Sequence, residues 1–184
     1  SVRGTERDGV VHADTLAVEP DSNVRLEATV AAVDAQANTL TILGSTFDVP
    51  ADTRYPTRGD RLDEQVDRRL RLTSLNAGDP LRVWAYADDA SLTARRIERA
   101  DAASEATARG AIERADANGS GVTIEVAGTT IRATDSATTY YDSSGAEIAP
   151  SAFKTRADPG TRIEAAGPEN AGEINTATRV QLID

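Results

Sequence analysis

The segment Leu40-Thr41-Ile42 recurs as Val122-Thr123-Ile124, at an offset of 82 residues (from position 40 to position 122) in a chain of 184 residues. An internal repeat determines how the rest of the sequence is interpreted, because each copy is expected to form the same structural unit. Matching segments at a period near 80 predict that one small β-rich unit was duplicated. Two further pairs recur in the same order, with Asp79-Pro80-Leu81-Arg82-Val83 matched by Pro159-Gly160-Thr161-Arg162-Ile163 and Ala94-Arg95-Arg96-Ile97 matched by Ala177-Thr178-Arg179-Val180.

The repeat divides the chain into two full units, at residues 21–100 and 108–184. Residues 101–107 are rich in Ala, Ser and Glu and poor in large apolar side chains, which predicts a linker. The stretch Asp8–Leu16 has the same turn followed by alternation as Asp88–Ile97. Residues 1–20 are therefore interpreted as the tail of a preceding, truncated unit. The lack of any Met leads us to expect a processed product or a piece of a longer chain.

Alternating apolar and polar side chains predict five short strands in each unit. In the first unit Leu62, Val66 and Leu70 stand four residues apart, which predicts a short amphipathic helix within residues 60–75. Five strands with a helix or loop between the third and the fourth are the order of an OB-like barrel. The expected fold class is therefore mainly β, with two tandem OB-like five-stranded barrels. The predicted strands are Val24–Val33, Thr39–Leu43, Thr46–Val49, Leu81–Tyr86 and Leu92–Ile97 in the first unit, and Arg109–Arg114, Val122–Val126, Thr129–Ala133, Arg162–Ala166 and Thr176–Leu182 in the second.

The composition restricts the function classes. A net charge of −10 and a pI near 4.6 oppose binding to nucleic acid or to an anionic membrane surface. The sequence has no Cys, which excludes disulfides, thiolate metal sites and cysteine nucleophiles. No stretch approaches the roughly 20 apolar residues that span a bilayer. Because aromatic residues make up only 4%, the cores have to be built from Val, Ile, Leu and Ala.

Nothing in the sequence favours catalysis. His12 is the only histidine, so a Ser-His-Asp triad would have to use it, and its ordinary interpretation is an exposed strand residue. Acidic pairs such as Asp63-Glu64 and Asp88-Asp89 are typical of a solvated surface in so acidic a chain, since carboxylates need burial to act as an acid and base pair. A hydrolase is therefore disfavoured, and we expect no enzyme.

Trp84 and Tyr86 lie two positions apart on one predicted strand and so share a face of the sheet. Together with Tyr55 they are the candidate ligand-binding residues, because OB folds present aromatic side chains as stacking surfaces. The charge opposes nucleic acid and leaves a glycan or a protein as the partner. The ordinary alternative, which we favour, has Trp84 anchoring the barrel core and Tyr86 capping it.

The stretch Asp116-Ala117-Asn118-Gly119-Ser120-Gly121 copies the first half of a calcium-binding loop. Asp116, Asn118 and Ser120 place oxygen atoms at alternate positions and Gly121 is the sixth residue, but the twelfth position holds Ala127 instead of a bidentate carboxylate. A β-turn explains the same residues and also explains the turn Asp34–Asn38 of the first unit. Calcium is therefore the only cofactor that the sequence suggests, and the turn is the favoured interpretation.

Several stretches of the first unit carry a family resemblance: Thr29-Val30-Ala31-Ala32-Val33-Asp34, Asn38-Thr39-Leu40-Thr41-Ile42-Leu43-Gly44 and Leu75-Asn76-Ala77-Gly78-Asp79. Together with Asp52-Thr53-Arg54-Tyr55 and the segment Leu92–Glu98, this pattern resembles an uncharacterised bacterial repeat domain of exported or lipid-anchored envelope proteins. The resemblance implies OB-like β-barrels in tandem and export to the periplasm, the cell surface or the extracellular space. It supplies no catalytic residues.

These observations favour a non-catalytic, exported envelope protein that acts as a structural scaffold or protein-interaction module. A protein partner or self-association is expected, with no nucleic acid and no direct membrane insertion. The alternative is a ligand- or calcium-binding module that uses an OB-like face. Exposed edge strands at the ends of the repeat would allow strands of different molecules to pair.

Overall fold

The computed structural model is mainly β, and the predicted fold class is confirmed at this level. It describes residues 2–7 and 10–16 by their backbone, and residues 22–55, 71–88, 91–101 and 105–184 with their side chains. An amino-terminal hairpin consists of β1 (Val2–Arg7) and β2 (Val10–Leu16), and the first unit contains β3 (Val24–Asp34), β4 (Thr39–Ile42), β5 (Ser45–Asp48), a 3-10 helix (Leu72–Ser74), β6 (Pro80–Ala87) and β7 (Leu92–Arg99). The second unit contains β8 (Ala106–Ala111), β9 (Arg114–Asn118), β10 (Gly121–Val126), β11 (Thr129–Thr134), β12 (Thr139–Tyr141), β13 (Glu147–Ile148), α1 (Pro150–Lys154), β14 (Arg162–Gly167), β15 (Glu169–Asn170), β16 (Glu173–Ile174) and β17 (Arg179–Ile183).

The strands of the first unit close into a five-stranded barrel. Their order is β3-β4-β5-β7-β6, and β6 pairs back onto β3 with Leu26 opposite Val83. β5 meets β7 in parallel, with Asp48 opposite Thr93, whereas its other neighbour β4 is antiparallel. Alternate residues of each strand point inward, so the barrel is filled by aliphatic side chains and the ring of Phe47.

The strands of the second unit follow the same cyclic order but bend between two sheets. One sheet has the order β9-β10-β11-β16-β15, and the other contains the neighbours β12-β17-β14-β8. β8 runs on into β9 and β14 into β15, while β16 precedes β17, so these strands contribute to both sheets. The first strand therefore lies beside the second and the fourth, and the fifth lies between the third and the fourth, as in the first unit.

The two units are joined through their first strands. β3 pairs antiparallel with β8, and Leu26 lies opposite Ala108 at an offset of 82. This pairing merges the first barrel with one sheet of the second unit into a ten-stranded sheet. The buried side chains of both units also form one hydrophobic cluster. The predicted domain boundaries stay a prediction, and the structure adds that the two units share a sheet and a core.

A second junction is formed by two equivalent hairpin turns. Leu43 and Gly44 connect β4 to β5, and Ala127 and Gly128 connect β10 to β11, with φ between 50° and 75° at all four residues. The offset between the turns is 84, two residues more than the offset of 82 between Leu40 and Val122. Because side chains alternate between the two faces of a strand, a difference of two residues in the offset leaves each side chain on the face of the sheet that the repeat predicts.

Ser45 and Thr129, the residues that follow these turns, contact each other across the junction. Ser45 Oγ lies 2.8 Å from Thr129 Oγ1 and donates to the carbonyl of Ala127 at 2.6 Å. Thr129 Oγ1 in turn donates to the carbonyl of Leu43 at 3.0 Å. Each hydroxyl thus bonds the turn of the other unit. Equivalent positions face each other here and at Leu26 and Ala108, which is the signature of a local two-fold axis.

The amino-terminal hairpin has the register of the last hairpin of the first barrel. Val2 lies opposite Leu16 and Arg3 opposite Thr15, after which the pairing shifts by one residue. Between β6 and β7 the same shift follows the pair of Trp84 and Arg96, which is displaced from Arg3 and Thr15 by 81 positions. The bulge in β1–β2 therefore lies 81 positions before the bulge in β6–β7.

The segment between the third and fourth strands differs between the units. Most of the helix predicted within residues 60–75 lies outside the described residues, and the described end contains the 3-10 helix with Leu72 buried. In the second unit this place is taken by α1, whose Phe153 is buried against Tyr140 with ring centroids 4.9 Å apart. Among the described residues no helix is long and apolar enough to cross a membrane.

Candidate functional site

The outward-facing side chains of β7, β6, β3, β8, β14 and β17 form a continuous surface, which we call the outer face. Because side chains alternate along a strand, residues that lie opposite each other on neighbouring strands form rows across this surface. One row contains Arg96, Trp84, Arg25, Arg109 and Glu164, each opposite the next. The outer face thus carries a line of arginines with one indole and one carboxylate.

A cleft of about 320 Å³ opens on the outer face at the junction of the two units. We call it the Trp84 cleft. Its wall includes Trp84 and three arginines, Arg25, Arg109 and Arg162, which come from β3, β8 and β14. Three guanidinium groups make this spot basic in a chain of net charge −10. The remaining lining residues are Ser22, Asn23 and Val24.

Trp84 lies outside the barrel, so the favoured expectation of a core tryptophan is wrong. Its neighbours Val83 and Ala85 are fully buried, whereas Trp84 is only half-buried. The guanidinium carbons of Arg96 and Arg82 lie 4.7 and 5.7 Å from the ring centroid, within the range of cation–π attraction. The indole is therefore fixed between charged side chains on the outer face.

The arginines of the outer face share few carboxylates. Glu164 Oε2 lies 2.9 Å from Arg25 Nη2 and 3.8 Å from Arg109 Nη1, and Glu164 Oε1 lies 3.0 Å from Arg179 Nη2. One carboxylate thus faces three guanidinium groups. In addition, Arg25 Nε is buried without a hydrogen-bond partner in the described structure. Among the described residues Arg162 has no carboxylate within salt-bridge distance.

A second, acidic cleft of about 480 Å³ lies at the other end of the β3–β8 seam. We call it the acidic cleft. Four of its lining residues have counterparts in the Trp84 cleft, 82 positions away in the sequence. Glu27 and Pro80 correspond to Arg109 and Arg162, and Glu105 and Ala106 correspond to Asn23 and Val24. The two clefts are therefore equivalent places in the two units with opposite charge. Asp101 and Glu169 add further acidic groups, and Glu169 Oε2 accepts hydrogen bonds from the backbone and hydroxyl of Thr29.

The three predicted ligand-binding aromatic residues are not brought together in one site. Tyr86 is 39% exposed on the outer face and does not line the Trp84 cleft. Tyr55 packs against the hydrophobic core, and this burial raises the pKa of its hydroxyl. Of the three, Trp84 lines one of the two clefts described above. A ligand site formed by these residues stays a prediction.

The predicted calcium-binding residues lie on the β9–β10 hairpin, with Asp116 and Asn118 in β9 and Ser120 in the turn. Asp116 pairs with Thr123 in the β9–β10 ladder, and Asn118 Oδ1 accepts hydrogen bonds from the backbone and hydroxyl of Ser120. The ammonium group of Lys154 lies 3.1 Å from the carbonyl oxygen of Asn118. These contacts are those of an Asx turn with a lysine against it. Within the described residues no cluster of three or more Asp, Glu or His side chains could hold a metal ion.

The resolved pKa shifts among the described groups have structural causes. Backbone amides of Ala37 and Gln36 lower the pKa of Asp34, the backbone amide of Asn76 lowers that of Asp79, and the hydroxyl of Ser144 is the main group that lowers that of Asp142. Each of these carboxylates caps a turn. Burial raises the pKa of Tyr140, whose ring packs on Phe153. The side chain of His12 and the pair Asp63-Glu64 lie outside the side chains that the structure describes.

Sequence reasoning missed the arginines of the Trp84 cleft. In the register of the structure, Glu27 and Arg82 of the first unit correspond to Arg109 and Glu164 of the second at an offset of 82, so the predicted match of Arg82 with Arg162, at an offset of 80, is wrong by two residues. The signal for these arginines lies in that corrected alignment. Both are cross-strand pairs, with Arg82 Nε 2.6 Å from Glu27 Oε2. The acidic and basic members of the pair have exchanged strands between the two units, which places an arginine on β8 beside Arg25. A comparison of the charges of residues 82 positions apart would have revealed this exchange.

One comparison with known proteins matches the closed first barrel. Residues 27–98 match the model of a family described as a domain of unknown function, DUF5666. The DUF5666 segment begins at Glu27 in β3 and ends at Glu98 in β7, so it covers the barrel almost completely. No curated protein and no solved structure matches the chain. The family description names no activity and no functional residue.

Proposed function

We propose that this chain is a non-catalytic interaction module in which two barrels, fused about a local two-fold axis, present the outer face to a protein partner or to a second copy. The observation that carries the proposal is the pairing of β3 with β8, which makes one ten-stranded sheet from two units. A sheet that is backed on one side by a common core holds its outward-facing side chains in fixed positions.

The chemistry of the outer face supports a binding role. Charged pairs cover it, with Arg82 bonded to Glu27 and Arg25 to Glu164. Trp84 and Tyr86 add aromatic surface on the same strand, and Trp, Tyr and Arg are the residues enriched where binding energy is concentrated. The carboxyl groups with a lowered pKa cap turns, and the tyrosines with a raised pKa pack against the core, so both kinds of group occupy structural positions.

The finer architecture belongs to the same proposal. The shared cyclic strand order, with the parallel contact between the third and fifth strands, supports two OB-like barrels in tandem. The register of β1–β2 supports the interpretation of residues 1–20 as the last hairpin of a further unit. Export to the cell envelope of a bacterium, expected from the family resemblance, would place the module among other surface proteins.

Photo-crosslinking in cells of the source organism tests the proposal. A photoreactive amino acid replaces Thr107, which lies opposite Glu27 in the middle of the outer face, in the protein expressed from its own precursor. We expect a discrete adduct with one protein or with a second copy. The same adduct should be weakened by R179E on the outer face and retained in R132E, because Arg132 pairs with Glu173 on the other sheet.

Two results would contradict the proposal. The first is the absence of any adduct from Thr107 and from a second outer-face position, Ala166, in cells that contain the folded protein. The second is an adduct that forms equally from the exposed turn residue Ser143, because random collision does not depend on the face. Fractionation of the same cells tests export, since a cytoplasmic precursor without an export signal would contradict that part.

A further inference from the structure

The Trp84 cleft has an excess of positive charge that the fold does not neutralise. Three arginines line it and the described lining residues include no carboxylate. Glu164 is the carboxylate that contacts Arg25 and Arg109, and it is also shared with Arg179. Each guanidinium group carries five N–H donors, so one carboxylate cannot satisfy the donors of three guanidinium groups. The cleft therefore has donors available for another acceptor.

The strand pairing adds a repulsive contact at the same place. Arg25 and Arg109 lie directly opposite each other on β3 and β8, and like charges in directly opposite positions destabilise a sheet. The buried Nε of Arg25 also lacks an acceptor in the described structure. Glu164 Oε2 offsets part of this repulsion because it lies near both guanidinium groups, and an anion bound in the cleft would offset more of it.

The positive charge of the Trp84 cleft is not required by the strand arrangement that the two units share. The equivalent acidic cleft has Glu27 where this cleft has Arg109, and Pro80 where it has Arg162. The same backbone arrangement thus accepts a carboxylate and a proline at these positions. The fold therefore does not need arginine at positions 109 and 162, and we attribute these arginines to a binding role.

We propose that the Trp84 cleft binds a small oxyanion ligand, whose phosphate, sulfate or carboxylate group is held by the three guanidinium groups while the indole packs against the rest of the molecule. Arginine suits such a group because its planar fork forms paired hydrogen bonds to two oxygens. The overall charge of −10 disfavours a long polyanion, but a small ion entering the cleft is governed by charges within about one Debye length, roughly 8–10 Å. The cleft lies on the outer face, but the inference of an oxyanion site does not rest on the proposed interaction role of that face.

The single tryptophan of the chain makes the test direct. Emission of Trp84 is followed while the whole chain is titrated with inorganic phosphate, sulfate or acetate, with sodium chloride holding the ionic strength constant. We expect a saturable change with at least one of the three ions, and the ion that binds most tightly identifies the oxyanion. Chloride alone should produce no saturable change.

Arg162→Gln is the decisive variant, because among the described residues Arg162 has no carboxylate partner whose loss could disturb the fold. Loss of one charge-assisted hydrogen-bonding group is expected to weaken binding roughly tenfold. The matched control is Arg114→Gln, since the Arg114 side chain is 77% exposed on β9, outside the cleft. Arg109→Gln should weaken binding by a similar factor, and if that variant fails to fold R162Q decides alone.

Thermal unfolding supplies the second readout. Phosphate and sulfate raise the melting temperature of many proteins by exclusion from the surface, so the informative quantity is the difference between the wild-type chain and R162Q at equal salt. A larger stabilisation of the wild type supports specific binding. The proposal is overturned if none of the three ions gives saturable fluorescence, or if R162Q and R114Q bind with equal affinity.

Discussion

Ser45 Oγ and Thr129 Oγ1 lie 2.8 Å apart at the buried contact between the two hairpin turns. The two hydroxyls have two protons between them, and they take part in three contacts, since each also reaches the carbonyl oxygen of the opposite turn. At any moment one of the three contacts lacks a proton. The pair therefore acts as one coupled unit that satisfies the carbonyls of Leu43 and Ala127.

Removal of either hydroxyl is expected to destabilise the chain. S45A leaves the buried carbonyl of Ala127 without this hydrogen bond, and T129V does the same for Leu43, each at a cost of about 1–3 kcal/mol in the free energy of unfolding. The double variant should cost less than the sum, because the first substitution already breaks the shared contact. Urea unfolding of the four proteins measures the coupling.

The control for this cycle is the exposed pair Thr41 and Thr46, whose hydroxyls lie 3.0 Å apart on the surface of β4–β5. T46V should change the free energy of unfolding by about 0.5 kcal/mol or less, because water replaces the lost bond. Equal effects of T129V and T46V, or strict additivity of S45A and T129V, would show that the buried junction is not coupled.

Gly121 and Gly119 of one hairpin should respond differently to the same substitution. A Cβ at Gly121 would lie 2.3 Å from the carbonyl oxygen of Ala133 on the neighbouring strand, whereas a Cβ at Gly119 would meet nothing within 4 Å. G121A is expected to cost about 1–3 kcal/mol or more, and G119A about 0.5 kcal/mol or less. Thermal unfolding of the two variants measures the difference, and similar midpoints would refute the close approach.

Asp142 should contribute to acid sensitivity. Its carboxylate accepts hydrogen bonds from the hydroxyl and amide of Ser144 and from the amide of Ala146, and these contacts lower its pKa below the ordinary value of 3.8. A lowered native pKa means that this stabilisation is complete above the unfolded value and is lost as the pH falls through the native value. D142N should therefore narrow the difference in the free energy of unfolding between pH 7 and pH 3, as measured by urea unfolding at both pH values.

The cross-strand pair of Glu27 and Arg82 should tolerate an exchange of its charges. Its counterpart in the second unit, Glu164 with Arg109, already has the opposite arrangement on equivalent strands. E27R alone places like charges opposite each other and is expected to cost about 1 kcal/mol, and E27R/R82E should recover most of that loss. If the double variant is as unstable as the single one, the equivalence of the two pairs fails.

The sequence was sufficient to predict the strands of the first barrel within one or two residues. Alternation of Leu26, Ala28 and Val30 located β3, and the helix-or-loop insertion was confirmed by α1 in the second unit. These features are local, because side-chain period and turn residues reflect the immediate backbone.

Other features depend on contacts between distant residues, and the sequence pattern did not reveal them. Trp84 was expected in the core because large aromatic side chains are usually buried, yet its place on β6 between two buried neighbours puts it outside. The short strands β15 and β16 were missed because a segment of two residues has no period. The shared seam arises from the pairing of Leu26 with Ala108, which no local pattern encodes.

Differential scanning calorimetry of the whole chain tests most directly whether the two units form one body. A common core and sheet predict a single transition for residues 22–184, with equal calorimetric and van't Hoff enthalpies, and S45A should shift that whole transition to lower temperature. Two resolved transitions, of which S45A moves only one, would show that the barrels unfold independently and would contradict the fused arrangement on which the proposed interaction role depends.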